Sequence, residues 1–516
     1  MFFFLLGVLL SVLIYIFLIK PCNYWKLIGI KHAPCWPGVG SMGKVLFKKE
    51  AFMDVSFNLY NKHVDERYVG YMQFMQQCLL LRDLELIKQI TVKDFNHFTD
   101  HAIFGQGTDA DPMLSKSLVS LTGEKWKNMR ATLSPAFTSS KMRNMYLLIE
   151  ECVSSFVDNL EGEMELEMRD TFSKVACNVI ATTAFGIKID CRKEPDDEFL
   201  KMGQLLADFN LWQTLKLIVA QTSPKLAEFF QIEVFPPSAT TFFRAIIKDN
   251  IKKRQDNEIV RPDLIHLLLE ARKGKLKFED DDKTEGVHFD STTQHVELTD
   301  EHIMAQAMLF FLAGFDTITT TASFMAHELA VNVDVQKKLQ DEIDGVRSKF
   351  GKNVPYEALL SMKYLDQVVS ETLRLWPAAF ETDRLCTKDY VIQSKNPGEK
   401  PFLVEKGVDV VIPVMGIHRD ARYYPEPNRF DPERFSDDNK AKIVPGTFLP
   451  FGWGPRNCIG SRFAVLEIKT IFYHLLSKFE LVPVARTETP IRISKAHFNL
   501  QPESGFWLGF KPRKLD

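Results

Sequence analysis

No two cysteines of this chain stand at CxxC spacing, and no Cys/His cluster has zinc-ligand spacing, which excludes the common zinc modules. The 8 Cys are scattered at positions 22, 35, 78, 152, 177, 191, 386 and 458. The chain is too long to need a disulfide framework, so they are expected to be mostly reduced thiols facing the cytosol. A surplus of charge is missing as well: the formal net charge is −3, so no global field draws the chain to nucleic acid. No tandem repeat is evident, and 516 residues at 45% hydrophobic and 25% charged suffice for a large globular core. The acid run Glu279–Asp282 lacks the Asp/Asn and Gly spacing of a calcium loop and belongs to a polar, solvated loop, 274–297. A literal GxGxxG occurs at Gly38, Gly40 and Gly43, but Pro34 and Pro37 stand where a dinucleotide site needs a buried strand. It is expected to be a turn.

Charge is also absent from residues 1–19, "MFFFLLGVLLSVLIYIFLI". About 20 such residues cross a bilayer. No Lys or Arg precedes the run, whereas Lys20, Lys26 and Lys31 follow it. That order argues for an uncleaved single-pass anchor, residues 1–20, with the body on the cytosolic face, and the endoplasmic reticulum is the expected membrane. A Pro/Gly-rich hinge, 21–43, then leads into a body spanning 44–516. From about residue 80 the body alternates long helical patterns with short irregular segments. "RPDLIHLLLEARK" (261–273) has helical spacing, and 298–332 is apolar for most of its length, with Thr299 as N-cap and Asp300 and Glu301 in its first turn. A helix so long and apolar must run buried through the centre. Short β-like pieces such as "DVVIPV" (409–414) come late. The expected fold is mainly α with minor β sheets.

One cysteine has an unusual setting, "FGWGPRNCIG" (451–460). Gly452, Gly454 and Gly460 permit backbone angles closed to other residues and the close approach of a planar group. The following "SRFAVLEIKTIFYHLLSKF" has helical spacing, which places Cys458 at a helix start, where free amides and the dipole favour a thiolate. A nucleophilic cysteine needs a base, and no His lies near it in this segment. An inert residue in a turn is the plain alternative; metal ligation by sulfur fits better. One thiolate cannot hold a bare metal, so the metal should arrive in a macrocycle.

These residues resemble the cytochrome P450 haem-thiolate monooxygenases, whose signature F-x-x-G-x-R-x-C-x-G is matched by Phe451, Gly454, Arg456, Cys458 and Gly460. The resemblance extends over nearly the whole chain and implies the cytochrome P450 fold, haem b (iron protoporphyrin IX) and Cys458 as the iron ligand. It implies that Trp126 and Arg130 of "WKNMR", Arg456, and Arg384 after the E-x-x-R helix meet the haem propionates. Related enzymes often place another basic contact in the loop that here reads "FTDHAIF" (98–104), where His101 is the candidate substitute. Glu371 and Arg374 of "SETLRLWP", one helical turn apart, together with Arg434 of "PERF", are assigned a structural role in locking the haem-side core. "AGFDT" (313–317) matches A/G-G-x-D/E-T: Gly314 leaves room for a small molecule, and Asp316 and Thr317 are expected to steer protons. On the residues alone, Thr317 bonding its own helix carbonyl stays open. Ile318 stands where many relatives carry a second Thr or Ser.

The implied reaction inserts one oxygen atom from O2 into a hydrophobic small molecule. No convincing flavin or nicotinamide site exists in the chain, so NADPH is used indirectly through NADPH–cytochrome P450 reductase, with cytochrome b5 as an optional second donor. Lys125, Lys127, Lys440 and Lys442 flank haem-side motifs as a docking patch, although solvated lysines are commonplace. Phe104, Leu211–Trp212, Phe310–Phe311, Ala379–Phe380 and Phe498 stand where the family forms its pocket, and "FFQIEVFPP" (229–237) is apolar enough to dip into a bilayer. The motif wording resembles insect microsomal enzymes of xenobiotic metabolism. Oxidation of an endogenous insect hormone, pheromone or lipid is the alternative, and a membrane-tethered haem sensor or ligand carrier is the reading from another class.

Overall fold

The computed structural model describes residues 1–102, 111–194, 197–208, 211–257, 260–274, 296 and 298–514. Phe104 and the acid run Glu279–Asp282 lie outside them. Helices dominate, with three small sheets. The long apolar run forms one helix, Asp300–Val331, capped by the Thr299 hydroxyl, which accepts from the His302 N–H. Residues 303–308 and 318–330 are buried all round, which is why its sequence shows little amphipathic periodicity, and the central turns between them open onto cavities. Around it pack the helices Met168–Thr183, Lys363–Leu375 and Ser461–Lys478. The expected helix at 261–273 spans Leu264–Arg272, started by Asp263, which accepts from the His266 N–H and pairs with buried Arg254 at 2.6 Å.

The larger sheet joins Tyr68–Gln73, Gln76–Leu81, Asp409–Ile412 and Thr382–Leu385 in that spatial order, the middle pair parallel and the outer pairs antiparallel. "DVVIPV" thus supplies a fully buried central strand, as its unbroken β-branched run requires. A three-stranded sheet pairs Trp507–Pro512 with Met164–Glu167 and Phe479–Pro483. A hairpin pairs Tyr390–Ile392 with Phe402–Val404.

Helix covers nearly all of residues 2–22, with every side chain of Phe2–Ile14 exposed, and the segment is long and apolar enough to cross a membrane. Asp300–Val331 also has that length and apolarity, but it is the buried core helix. Within 21–43, Trp25 is 1% exposed, and its indole N–H donates to the Tyr71 carbonyl at 2.9 Å. The glycine triplet is a turn: Trp36 and Gly40 exchange both backbone hydrogen bonds at 2.8 Å. Gly40 sits at φ 68°, where a Cβ would lie 2.4 Å from the Met72 carbonyl oxygen. Cys35 is disulfide-bonded to Cys22, a pair that the sequence did not foreshadow, while the expectation of mostly reduced thiols holds for the rest. The other six cysteines are free.

Candidate active site

Cys458 lies two residues before the N-cap, Gly460, of the helix Ser461–Lys478. Its backbone N–H donates to the Phe451 carbonyl at 2.8 Å, closing the bend on itself. Gly452 and Gly454 have φ near +78° and +79°, and a Cβ on Gly454 would lie 2.0 Å from the Thr91 carbonyl oxygen. Gly460 differs from expectation: its φ is −95°, open to any residue, and no protein atom lies within 4 Å of where a Cβ would stand. Its value is the open side it leaves toward the cavity.

That cavity, about 290 Å³, is lined by Trp126, Arg130, Gly314, Thr317, Arg456, Cys458 and Gly460, which are far apart in sequence. His101 joins them. The Cys458 side chain is exposed to the cavity yet enclosed by the body of the protein. Burial pushes its thiol up, against the pull of the Gly460 N–H and the Arg130 guanidinium. Desolvation thus opposes the helix start at this sulfur.

Three arginines surround this space. Arg130 is held by Asn457, donating to its carbonyl at 2.8 Å and its side-chain oxygen at 2.9 Å. Arg456 donates to the carbonyls of Thr99 at 2.7 Å and Leu121 at 2.6 Å, and its guanidinium lies 4.1 Å from the Trp126 ring centre. Arg384 does not line the cavity; it lies fully buried behind it, donating to the carbonyls of Asp383 at 2.6 Å and Trp453 at 3.0 Å. Burial pulls Arg130 and Arg384 down to about 10 and Arg456 to about 9, with Cys458, Asp383 and Asp100 respectively as the main opposing groups. Arg130 Nε and Arg384 Nε are buried without a hydrogen-bond partner. Buried donors left over beside under-compensated cations are what a group bringing carboxylates would satisfy. No group of three or more His, Cys, Asp or Glu among the described residues is placed to hold a bare metal ion. The donor set thus fits a metal carried in a macrocycle with anionic arms, and haem meets it. His101 gives its place to the same wall, with Nδ1 2.9 Å from Asp383 Oδ1, and burial holds its ring below the usual histidine range.

Asp316 is not in this cavity. It lines a second, apolar one of about 360 Å³ that shares Val119, Leu309, Ala313 and Thr317 with the first. The Asp316 carboxylate accepts from Arg169 Nη2 at 2.5 Å and Asn499 Nδ2 at 3.0 Å, partners that sequence reading missed. Nothing in their local patterns marks them, because they reach Asp316 from other elements. Thr317 donates its hydroxyl to the Ala313 carbonyl at 2.5 Å, so the plain helical reading holds for its proton. Gly314 lines the first cavity, and a Cβ there would lie 3.0 Å from Ile180 Cδ1, so a larger residue would have to displace that side-chain end.

Glu371 and Arg374 have no exposed side-chain surface and pair through Nε–Oε2 at 2.7 Å and Nη2–Oε1 at 2.8 Å. Arg434 Nε lies 3.4 Å from Glu371 Oε1, and the Asp431 N–H donates to the same oxygen at 2.8 Å. The three stand outside the cavity lining, beneath the segment that leads to the cysteine bend.

Among the apolar residues expected at the pocket, Phe310 and Phe498 line the two cavities. Phe311 instead packs into a buried aromatic cluster with Phe185, Phe199 and Phe243, and Trp212 is 67% exposed. Ala378, not Ala379, reaches the second cavity, and Phe380 stands behind Phe498. Of the lysines, Lys127 pairs with Glu124 and Lys442 with Asn439, both at 2.8 Å, while Lys125 and Lys440 are exposed.

Residues 32–508 match the family model described as Cytochrome P450. The chain is 44% identical over 496 residues to "Cytochrome P450 9e2" of Blattella germanica, covering 92% of this chain and 91% of that protein. It is 39% identical over 519 residues to "Probable cytochrome P450 9f2" of Drosophila melanogaster, covering 98% of each. Against "Cytochrome P450 6k1" of Blattella germanica it is 36% identical over 507 residues, 97% of this chain and 95% of that one. With the cysteine bend, the flanking arginines and the central helix assembled as described, the chain belongs to the cytochrome P450 family of haem-thiolate monooxygenases.

Proposed function

We propose that this monooxygenase oxidises lipophilic small molecules of foreign origin, such as plant toxins or insecticides, at the endoplasmic reticulum. In this reading Cys458 would ligate the iron of bound haem, and Arg130, Arg456 and Arg384, with Trp126, would hold its carboxylate arms. Asp316 and Thr317 handle protons. Haem supplies oxygen activation when bound; the chain supplies the sulfur, the orientation of substrate and the exclusion of water. The observation that carries the reading is the meeting of Cys458 and Thr317 on one cavity that adjoins an apolar one. The second cavity is lined largely by Met113, Leu114, Leu217, Phe235, Met308 and Leu312, which suits hydrophobic substrates.

Electrons come from NADPH through a separate reductase, received on the side of the cysteine bend. Substrate enters from the bilayer: Phe229 and Phe230 are 81% and 62% exposed, beside exposed Leu226, which supports a second membrane contact near 229–237. The 2–22 helix supplies the first.

Two measurements test this. Cys458→Ser should abolish the sulfur-dependent long-wavelength absorption of the reduced carbon monoxide complex; an unchanged spectrum removes Cys458 from the iron. A panel of lipophilic toxins in membranes with reductase and labelled O2 should give singly oxygenated products. Turnover confined to endogenous hormones or fatty acids would overturn the substrate assignment.

A further inference from the structure

Asp316 lies in a wall with two sides. One faces the apolar cavity, and the other faces a separate cleft of about 450 Å³. The cleft is polar where the cavity is not: Glu167, Asp170, Gln204, Asp208, His497 and Gln501 line it. Few groups in the cavity are able to carry a proton inward. Ser117 spends its hydroxyl on the Leu114 carbonyl at 2.7 Å, and Thr317 spends its own on Ala313. Asp316 is the ionisable group that lines both spaces, so it can take a proton from the cleft and offer it to the cavity.

We propose that Arg169 and Asn499 are positioning residues that hold the Asp316 carboxylate between the polar cleft and the apolar cavity, so that the reaction draws protons from the cleft. This rests on the reading of Asp316 as a proton-handling group.

Three features support the assignment. Arg169 bridges one turn of the long helix, donating through Nη2 to Asp316 and through Nη1 to Thr320 Oγ1 at 3.0 Å, which fixes the guanidinium on the cleft side. Asn499 grips the other carboxylate oxygen at 3.0 Å and lines both spaces. The Arg169 and Asp316 side chains are 25% and 21% exposed, so the ion pair opens at far smaller cost than a buried one and reforms readily. A hydrated proton in the cleft binds a carboxylate oxygen of Asp316, an O–H bond forming there as one on the water side breaks. The carboxyl then releases that proton on the cavity face and is a carboxylate again. No electron moves in this relay.

The test uses the haem-loaded, full-length enzyme with reductase and a substrate that turns over. Product, NADPH use and peroxide are measured in H2O and D2O, and substrate affinity by spectral titration. Arg169→Gln is expected to cut product per NADPH by about tenfold or more, raise peroxide and enlarge the solvent isotope effect, with substrate affinity within about twofold. Arg169→Lys should restore most of the coupling, because an ammonium reaches the same carboxylate. Asn499→Leu should shift coupling in the same direction by less. If Asp316→Asn is uncoupled while Arg169→Gln matches wild type in coupling and isotope effect, the proposal fails and the role of Asp316 stands. If Asp316→Asn stays fully coupled, the underlying reading fails. Should Arg169→Gln lose haem, Asn499→Leu decides, and wild-type coupling and isotope effect there overturn the proposal.

Discussion

Replacing Glu371 by alanine should be among the most damaging single changes outside the cavities. The carboxylate accepts from Arg374 Nε at 2.7 Å, Arg374 Nη2 at 2.8 Å and the Asp431 N–H at 2.8 Å, with Arg434 Nε at 3.4 Å. Arg374 keeps three acceptors, the carbonyls of His418 and Pro427, both at 2.8 Å, and that of Arg429 at 3.3 Å. Neither member of the pair has exposed side-chain surface. Removing one partner of a buried pair costs about 3–5 kcal/mol, and the stranded Asp431 N–H adds about 1 kcal/mol. The sum is about a third or more of the stability of an ordinary domain, about 5–15 kcal/mol. Burial raises Glu371 above the usual carboxylate range despite Arg374, so the intact pair contributes little net stability for its desolvation. The double variant Glu371→Met, Arg374→Met should therefore lie nearer to wild type than either single variant. Urea unfolding followed by tryptophan fluorescence, with haem retention in parallel, measures all four proteins. A Glu371→Ala loss under about 1 kcal/mol, or a double variant no better than the sum of the singles, refutes the reasoning.

Two further outcomes are expected. Burial pushes Glu381 up to about 7, with Asp383 adding to the effect and a hydrogen bond from Ser56 opposing it. Below an unfolded value near 4.5 both states hold this proton, and stability is complete. Between there and about 7 the unfolded state ionises first, so about 3 kcal/mol is lost as pH rises. Glu381→Gln should flatten that part of the stability profile, and a profile parallel to wild type from pH 4 to 8 would count against a buried, shifted Glu381. Gly454→Ala should lower both haem content and thermal stability, because its Cβ would lie 2.0 Å from the Thr91 carbonyl oxygen at φ +79°, whereas Gly460→Ala should stay within about 1 kcal/mol of wild type. Equal effects at the two glycines, by differential scanning and haem absorbance, would contradict the bend geometry.

Much of the fold was legible because it is written in local pattern. The long apolar run reads as a buried helix with Thr299 as its N-cap, and "DVVI" reads as a short strand, which the sheet places inside. The glycine bend was legible for the same reason: its residue types suit few purposes other than a tight loop presenting one sulfur. What local pattern cannot carry is which side chain meets which across hundreds of residues. Nothing near Arg169 or Asn499 announces Asp316, and the aromatic cluster that claims Phe311 exists only after three helices and the bend at Phe185 converge. The Cys22–Cys35 bond likewise shows only in three dimensions, where their Cα atoms lie 5.3 Å apart.

By itself the sequence determined the class of chemistry, since a lone cysteine among glycines and arginines suits one kind of cofactor. Tertiary structure alone decided the electrostatics. It set burial against the helix start at Cys458, left Arg130 Nε and Arg384 Nε without partners, and placed Asp316 between a wet cleft and a dry cavity. The physical reason is that hydrophobic periodicity and turn chemistry act over a few residues, whereas desolvation and charge pairing depend on everything brought within a few ångströms, whatever its place in the chain.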